Sequence, residues 1–148
     1  MKRFFSLILF IYLLFISSLF SIGQEIVNWK VNFNKNENTI EIKATIKEGW
    51  HLYSQHLKEN IGPIPTTFSF QSSSDFQLIG KVIEPQPIQK YDAVFESNLE
   101  FFEKEVTFIQ KIRAIKPTQL EGTISFMVCS ETMCLPPTDY KYKIEINI

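Results

Sequence analysis

Glycine and cysteine are scarce in this sequence, and basic residues are not in excess. The chain has 148 residues with five glycines and two cysteines, and its formal net charge is -1. A phosphate-cradling loop needs several glycines in a fixed pattern, which is absent here, as is a serine–histidine–aspartate hydrolase arrangement. A nucleic-acid partner needs a basic face that neutralises phosphates. The composition therefore argues against both nucleotide-binding and nucleic-acid-binding proteins.

Near its start, the sequence has one long hydrophobic run. Two basic residues precede the run, it covers residues 4–20, and the small residues Ser21 and Gly23 follow it. This order is typical of a secretory signal peptide cleaved after Gly23. The run also approaches the length that spans a bilayer, about 20 residues, so an uncleaved membrane anchor stays open. We expect a signal peptide over residues 1–23 and one mature domain over residues 24–148, located in the periplasm.

The mature part alternates hydrophobic and polar residues with the period of β-strands. Residues 27–33 and 40–46 alternate on either side of a polar turn at residues 34–38, which predicts a hairpin. About eight short strands separated by turn-rich segments predict an all-β sandwich or barrel. The other predicted strands are residues 66–70, 76–83, 100–102, 106–114, 122–129 and 140–148.

Two long connections are predicted as loops. Residues 51–65 contain Gly62-Pro63-Ile64-Pro65, and proline lacks the N–H donor that a strand ladder needs. Residues 84–98 contain two prolines followed by aromatic residues. Long loops in a compact domain are usually functional or disordered, and the aromatic residues make disorder the weaker interpretation of the second loop.

The two cysteines, Cys129 and Cys134, are separated by four residues and followed by Pro136-Pro137. Closing so short a loop removes only about 2 kcal/mol of unfolded-state freedom, so a structural disulfide would add little. A short loop also keeps two thiols close whether the bond is open or closed, which suits exchange through a mixed disulfide. Spacing alone leaves both interpretations open. A zinc site is disfavoured because His51 and His56 would have to supply ligands from a distant loop.

The surroundings of the cysteines are less clear from the sequence. If residues 122–129 form one strand, Cys129 points away from the face of Phe126 and Val128, toward solvent or a loop. Glu131, between the sulfurs, would raise the pKa of a thiol, and a protonated His51 would lower it. Both could equally be solvated surface groups.

Five short segments form a pattern along the mature chain. They are Gly49-Trp50-His51-Leu52-Tyr53-Ser54, Gly62-Pro63, Pro65-Thr66, Tyr91-Asp92 with Phe95, and Cys129 to Cys134 with Leu135-Pro136-Pro137. In this order they resemble the N-terminal periplasmic domain of the thiol:disulfide interchange protein DsbD. The resemblance covers essentially the whole mature chain, and the cysteine-to-proline segment is its most specific part. It implies an immunoglobulin-like β-sandwich with the cysteine pair at one end.

This resemblance also implies an activity, dithiol/disulfide exchange without a cofactor or a metal. The domain would take electrons from a thioredoxin-like protein or from a membrane electron conduit of the DsbD type. It would pass them to oxidised periplasmic proteins, including those of cytochrome c biogenesis. The alternative is a non-catalytic immunoglobulin-like binding module with a structural disulfide.

Residue roles follow from the same resemblance. Cys129 and Cys134 form the disulfide, with Cys134 meeting partners and Cys129 resolving. Phe95 is the cap-loop residue that shields the disulfide, and Asp92 lies near the family's cap-loop acid. His51 and Tyr53 fall where the family has two tyrosines beside the cysteines.

Three departures from the family pattern affect the surroundings of the sulfurs. The cysteine spacing is one residue shorter, His51 replaces a tyrosine, and Ala93-Val94 replaces an acidic pair. Since no conduit or thioredoxin domain follows Ile148 in this sequence, the expected electron donor is a separate protein.

Overall fold

The structure is a computed structural model that describes residues 26–57, 62–92 and 95–148. Its described residues form antiparallel strands joined by turns. The strands are β1 (Val27–Asn34), β2 (Thr39–Ile46), β3 (Trp50–Tyr53), β4 (Thr67–Phe70), β5 (Phe76–Ile83), β6 (Ile88–Asp92), β7 (Ser97–Phe102), β8 (Glu105–Ala114), β9 (Thr118–Phe126), β10 (Val128–Ser130) and β11 (Thr138–Ile146).

Two sheets enclose the main core. One has the order β1-β2-β8-β5 and the other the order β11-β9-β4. Trp29 of the first sheet packs edge-on against Phe126 of the second, with ring centroids 5.3 Å apart, and Phe68 of β4 lies 4.8 Å from Phe108 of β8. The buried side chains of both sheets form one cluster between them. The predicted all-β sandwich is confirmed, with the immunoglobulin-like arrangement.

The first hairpin forms for local reasons. β1 and β2 pair from Val27 opposite Ile46 to Asn34 opposite Thr39. Asn34 Oδ1 accepts the backbone N–H groups of Asn36 and Glu37, as asparagine commonly does in turns. This hairpin was predicted from the alternation of the two strands, and the prediction is confirmed.

A third sheet, with the order β10-β3-β7-β6, was not predicted. Strand β6 lies inside one segment predicted as a loop and β3 overlaps the other, so that prediction is wrong for residues 51–53 and for Ile88–Asp92. Strands of four and five residues are too short to show a clear alternation. β3 forms because it pairs with β10 and β7, which are distant in the sequence, and β6 forms because it pairs with the next strand, β7.

The strand predicted over residues 122–129 is interrupted at Met127. β9 ends at Phe126 and pairs with β4 and β11, whereas β10 pairs with β3 in the third sheet. Cys129 points away from the main core that holds Phe126 and Val128, as predicted, but it is 0% exposed, so the predicted alternative that it faces solvent is wrong. Cys129 belongs to a second hydrophobic cluster, whose buried members are Tyr53, Leu99, Phe101 and Cys129.

Among the described residues, no helix is long and apolar enough to cross a membrane. The predicted signal peptide over residues 1–23 lies outside the described residues.

Candidate functional site

Cys129 and Cys134 are joined by a disulfide across a tight turn. The turn closes through two backbone hydrogen bonds, from Ser130 N to Met133 O at 2.8 Å and from Leu135 N to Val128 O at 3.0 Å. Cys129 is fully buried, and Cys134 is only partly buried against the second cluster. The two sulfurs therefore differ in access, although they belong to the same turn.

β3 brings two of the predicted site residues to the disulfide. In the antiparallel pair of β3 and β10, His51 lies directly opposite Cys129. Residues opposite each other, and residues two apart on one strand, share a face of the sheet. His51, Tyr53 and Cys129 consequently lie on one face, and the register of β3 and β10 explains how distant segments meet here.

A buried chain of polar groups connects β3 to β6. The Tyr53 hydroxyl donates to Asp92 Oδ2 at 2.7 Å, and His51 Nε2 lies 3.0 Å from that hydroxyl and 3.4 Å from the same Asp92 oxygen. All three side chains are buried. Since the Tyr53 proton points at the carboxylate, the hydroxyl oxygen accepts from His51 Nε2–H. Three of the predicted site residues, His51, Tyr53 and Asp92, thus form one hydrogen-bonded group.

Asp92 also holds the segment that carries Phe95. Asp92 Oδ1 accepts the backbone N–H of Phe95 at 3.1 Å, and Glu96, the next residue, adopts a left-handed φ of 51°. The Phe95 ring packs edge-on against Tyr53, with centroids 6.2 Å apart. Phe95 therefore lies against the cluster that contains Cys129.

Burial controls the ionisation of this group. It lowers the pKa of His51 below its usual 6.5, although nearby Asp92 opposes the shift. Burial, with the hydrogen bond to Asp92, raises the pKa of Tyr53 far above its usual range. At neutral pH, His51 is therefore a neutral imidazole, and Tyr53 keeps its proton.

The rim of the site combines Glu131 with Lys90 and Phe101, two residues that the sequence did not single out. Glu131 is 76% exposed and forms an ion pair with Lys90 of β6 at 3.1 Å. Phe101 of β7 lies beneath His51, with ring centroids 4.5 Å apart. No local pattern marks Lys90 or Phe101, because both reach the site through the pairing of β6 with β7.

Within the described ranges, no group of three or more histidine, cysteine, aspartate or glutamate side chains is arranged to hold a metal ion.

A family model described as thiol:disulfide interchange protein DsbD, N-terminal, matches residues 22–146. A search of curated proteins found no match.

Several solved structures have a fold similar to that of this chain. The reduced N-terminal domain of Neisseria meningitidis DsbD has a TM-score of 0.61 at 14% identity, covering 84% of this chain and 88% of that chain. A complex between the DsbD N-terminal and PilB N-terminal domains from the same species has a TM-score of 0.59 at 11% identity, with coverages of 79% and 80%. The N-terminal periplasmic domain of ScsB from Proteus mirabilis has a TM-score of 0.54 at 17% identity, and the match covers 78% of this chain but 43% of that one. At such identities these likenesses show the fold alone.

Proposed function

The chain belongs to the family of the N-terminal domain of the thiol:disulfide interchange protein DsbD, and on that premise we propose that Cys129 and Cys134 carry electrons. They pass them between a thioredoxin-like or membrane donor and oxidised exported proteins. The single observation that carries the proposal is the placement of the disulfide. It lies beside a buried polar group and outside the main core.

A purely structural role explains this placement poorly. The disulfide closes a loop with a sequence separation of 5, which is worth only about 2 kcal/mol of chain entropy. Two backbone hydrogen bonds already close the same turn. The sulfurs would therefore stay close to each other after reduction, as reversible exchange requires.

The difference in burial assigns a role to each sulfur. Cys134 is the more accessible, so a partner thiolate attacks Cys134 Sγ and Cys129 leaves as a thiolate. The partner's second thiolate then attacks the partner's first sulfur, which is bonded to Cys134 in the mixed disulfide, and Cys134 is released as a thiolate. Two electrons reach the chain, and the partner leaves as a disulfide; delivery to an oxidised protein runs through the same steps in reverse.

The surface around the cysteines suits a protein partner. Tyr91 is 58% exposed and Met133 is 51% exposed, and both lie close in sequence to the site residues Asp92 and Cys134. The DsbD N-terminal domain of Neisseria meningitidis forms a complex with a PilB N-terminal domain. We propose a thioredoxin-like partner for this chain. In the same proposal, residues 1–23 are a signal peptide that directs the chain to the periplasm, and residues 24–148 form the exchange domain.

The reduction potential of the Cys129–Cys134 pair tests the function. A working pair should have a potential above about -300 mV, whereas a structural disulfide should lie below it. The measurement equilibrates the chain in dithiol/disulfide buffers, quenches by alkylation and counts free thiols by mass. A potential well below this limit, with no reduction by thioredoxin, would favour the non-catalytic binding module.

Phe95 provides a second test, because its ring packs against the cluster around Cys129. Phe95→Ala should make the disulfide more accessible, so reduction by glutathione should be faster while the chain stays folded. Phe70→Ala is the matched control, since Phe70 is also half-buried but packs against the main core. Equal glutathione rates for the two variants and the wild type would remove Phe95 from the site.

A further inference from the structure

We propose that His51 accepts the proton that Cys129 loses when Cys129 resolves a mixed disulfide on Cys134. This inference rests on the proposed exchange reaction. It adds a proton acceptor at a position where the resembling family has a tyrosine.

Resolution by Cys129 needs a proton acceptor inside the protein. Only a thiolate attacks a disulfide, and burial in apolar surroundings raises the pKa of a thiol. Cys129 is 0% exposed and packs among Tyr53, Leu99 and Phe101. Bulk water therefore cannot take this proton directly, and a neighbouring side chain has to do so.

His51 occupies the position from which it can act. It lies directly opposite Cys129 in the pairing of β3 with β10. Opposite residues of an antiparallel pair have Cβ atoms about 4.5–5.5 Å apart, on the same face. The His51 ring also packs on Phe101, a member of the cluster that buries Cys129.

The other ionisable groups near the sulfurs are unsuited to the task. Tyr53 is protonated and donates to Asp92, and burial keeps its pKa far above the working range. Asp92 already accepts from Tyr53 and from the backbone N–H of Phe95. Glu131 is exposed to solvent and paired with Lys90. Among the groups described around Cys129, the neutral imidazole of His51 is the one suited to act as a base.

The hydrogen bonds define which nitrogen of His51 is the acceptor. Nε2 donates to the Tyr53 hydroxyl, so in the neutral ring the lone pair is on Nδ1. When Nδ1 takes a proton, the imidazolium keeps Nε2 at 3.4 Å from Asp92 Oδ2, and this carboxylate stabilises the new charge. The assignment of protons follows from the network of donors and acceptors.

The resolving step consists of one proton transfer and one thiol–disulfide exchange. The Cys129 proton moves to His51 Nδ1, and the thiolate attacks Cys134 Sγ in the mixed disulfide. The Cys129–Cys134 bond forms, the bond from Cys134 to the partner sulfur breaks, and the partner leaves as a thiolate with the electron pair. His51 then releases its proton to solvent, and the reverse reaction returns a proton from His51 to Cys129.

Charges around His51 set the pH range of this step. Asp92 on β6, together with Glu103 and Glu131, favours the imidazolium, whereas burial disfavours it more strongly. Lys90 lines the same surface recess as His51, where its ammonium group pairs with Glu131. Because the pKa of His51 is lowered from 6.5, the ring is neutral and ready to accept a proton at pH 7.

Stopped-flow mixing of the reduced chain with 5,5′-dithiobis(2-nitrobenzoate) separates the two steps. Attack by Cys134 releases one thionitrobenzoate and leaves a mixed disulfide, and resolution by Cys129 releases the second. His51→Gln keeps a donor for Tyr53 but removes the base. At pH 7 we expect the first release to keep its rate and the second to slow about a hundredfold, the usual scale of general-base catalysis. His56→Gln, at the second histidine and exposed to solvent, is the matched control.

The pH profile of the second release distinguishes a base from a structural residue, because a purely structural His51 would not change the shape of this profile. In the wild type it should rise through the pKa of His51, below 6.5, and then level off. In His51→Gln it should keep rising into the range of a buried thiol, above about 8.5. Equal second-phase rates in the two proteins, or a wild-type profile that rises to the thiol range, would overturn the role of His51. If His51→Gln does not fold, the wild-type profile alone decides. A wild type that releases no thionitrobenzoate would instead contradict the proposed exchange function.

Discussion

Replacing Cys134 with alanine is expected to abolish thiol exchange with protein partners, whereas Cys129→Ala should retain the attack and lose the release. Cys134 is the accessible sulfur, and Cys129 is buried behind it. In Cys129→Ala, the Cys134 thiolate can attack a partner disulfide, but no second sulfur resolves the product. The Cys129→Ala variant should therefore accumulate as a covalent mixed disulfide. Cys134→Ala should form almost none, because its remaining thiol is fully buried.

The two variants are well matched controls for each other. Each loses the same disulfide and the same loop closure, worth about 2 kcal/mol, so any difference between them reports access and chemistry. Each would be incubated with a periplasmic extract and with an oxidised thioredoxin-like protein, quenched with acid, and analysed on non-reducing gels and by mass spectrometry. Equal trapping by both variants would contradict the assignment of roles. No trapping by either would favour the binding module.

The sequence predicted the main sandwich well because its long strands carry their own signal. β1 and β2 alternate over eight residues each, around a turn whose asparagine forms local hydrogen bonds. The alternation and the turn are local features, so they can be recognised without information about the rest of the chain. β5 was predicted with its observed bounds for the same reason, although several of its residues are exposed.

The third sheet could not be predicted in this way. β3 acquires its extended form from partners far away in sequence. β6 pairs with its neighbour β7, but two prolines precede it in a segment otherwise typical of a loop. The burial of Cys129 depends on the break at Met127, which moves β10 into another sheet. No period in the residues around Met127 marks that break.

The candidate site residues were named from a resemblance, and their arrangement comes from the structure. The sequence placed Asp92 in a cap loop and Tyr53 beside the cysteines, but it gave no reason for the two to meet. The hydrogen bond between them joins residues 39 positions apart, across β3 and β6. Their roles in exchange stay predictions until the variants are measured.

Asp92→Ala is expected to cost about 2–5 kcal/mol of the free energy of unfolding, the largest loss among the single substitutions in the polar group. The Tyr53 hydroxyl and the Phe95 backbone N–H would both lose their acceptor, and a buried donor without a partner costs about 1–3 kcal/mol. Urea unfolding of the oxidised chain measures this loss. Glu48→Ala is the control, since an exposed acidic residue in the turn before β3 should change stability by no more than about 0.5 kcal/mol.

Asp92→Asn separates the hydrogen bonds of this residue from its charge. The amide oxygen can still accept from Tyr53 or from Phe95, so the loss of stability should be smaller than in Asp92→Ala. The negative charge that stabilises a protonated His51 is nevertheless gone. Resolution by Cys129 should therefore be slower in Asp92→Asn than in the wild type, while most of the stability is retained. In Asp92→Ala the Phe95 segment loses its hydrogen bond to residue 92, so glutathione should reduce the disulfide faster than in the wild type. If Asp92→Ala unfolds at the same urea concentration as the wild type, Asp92 does not hold Tyr53 and Phe95 together in the folded chain.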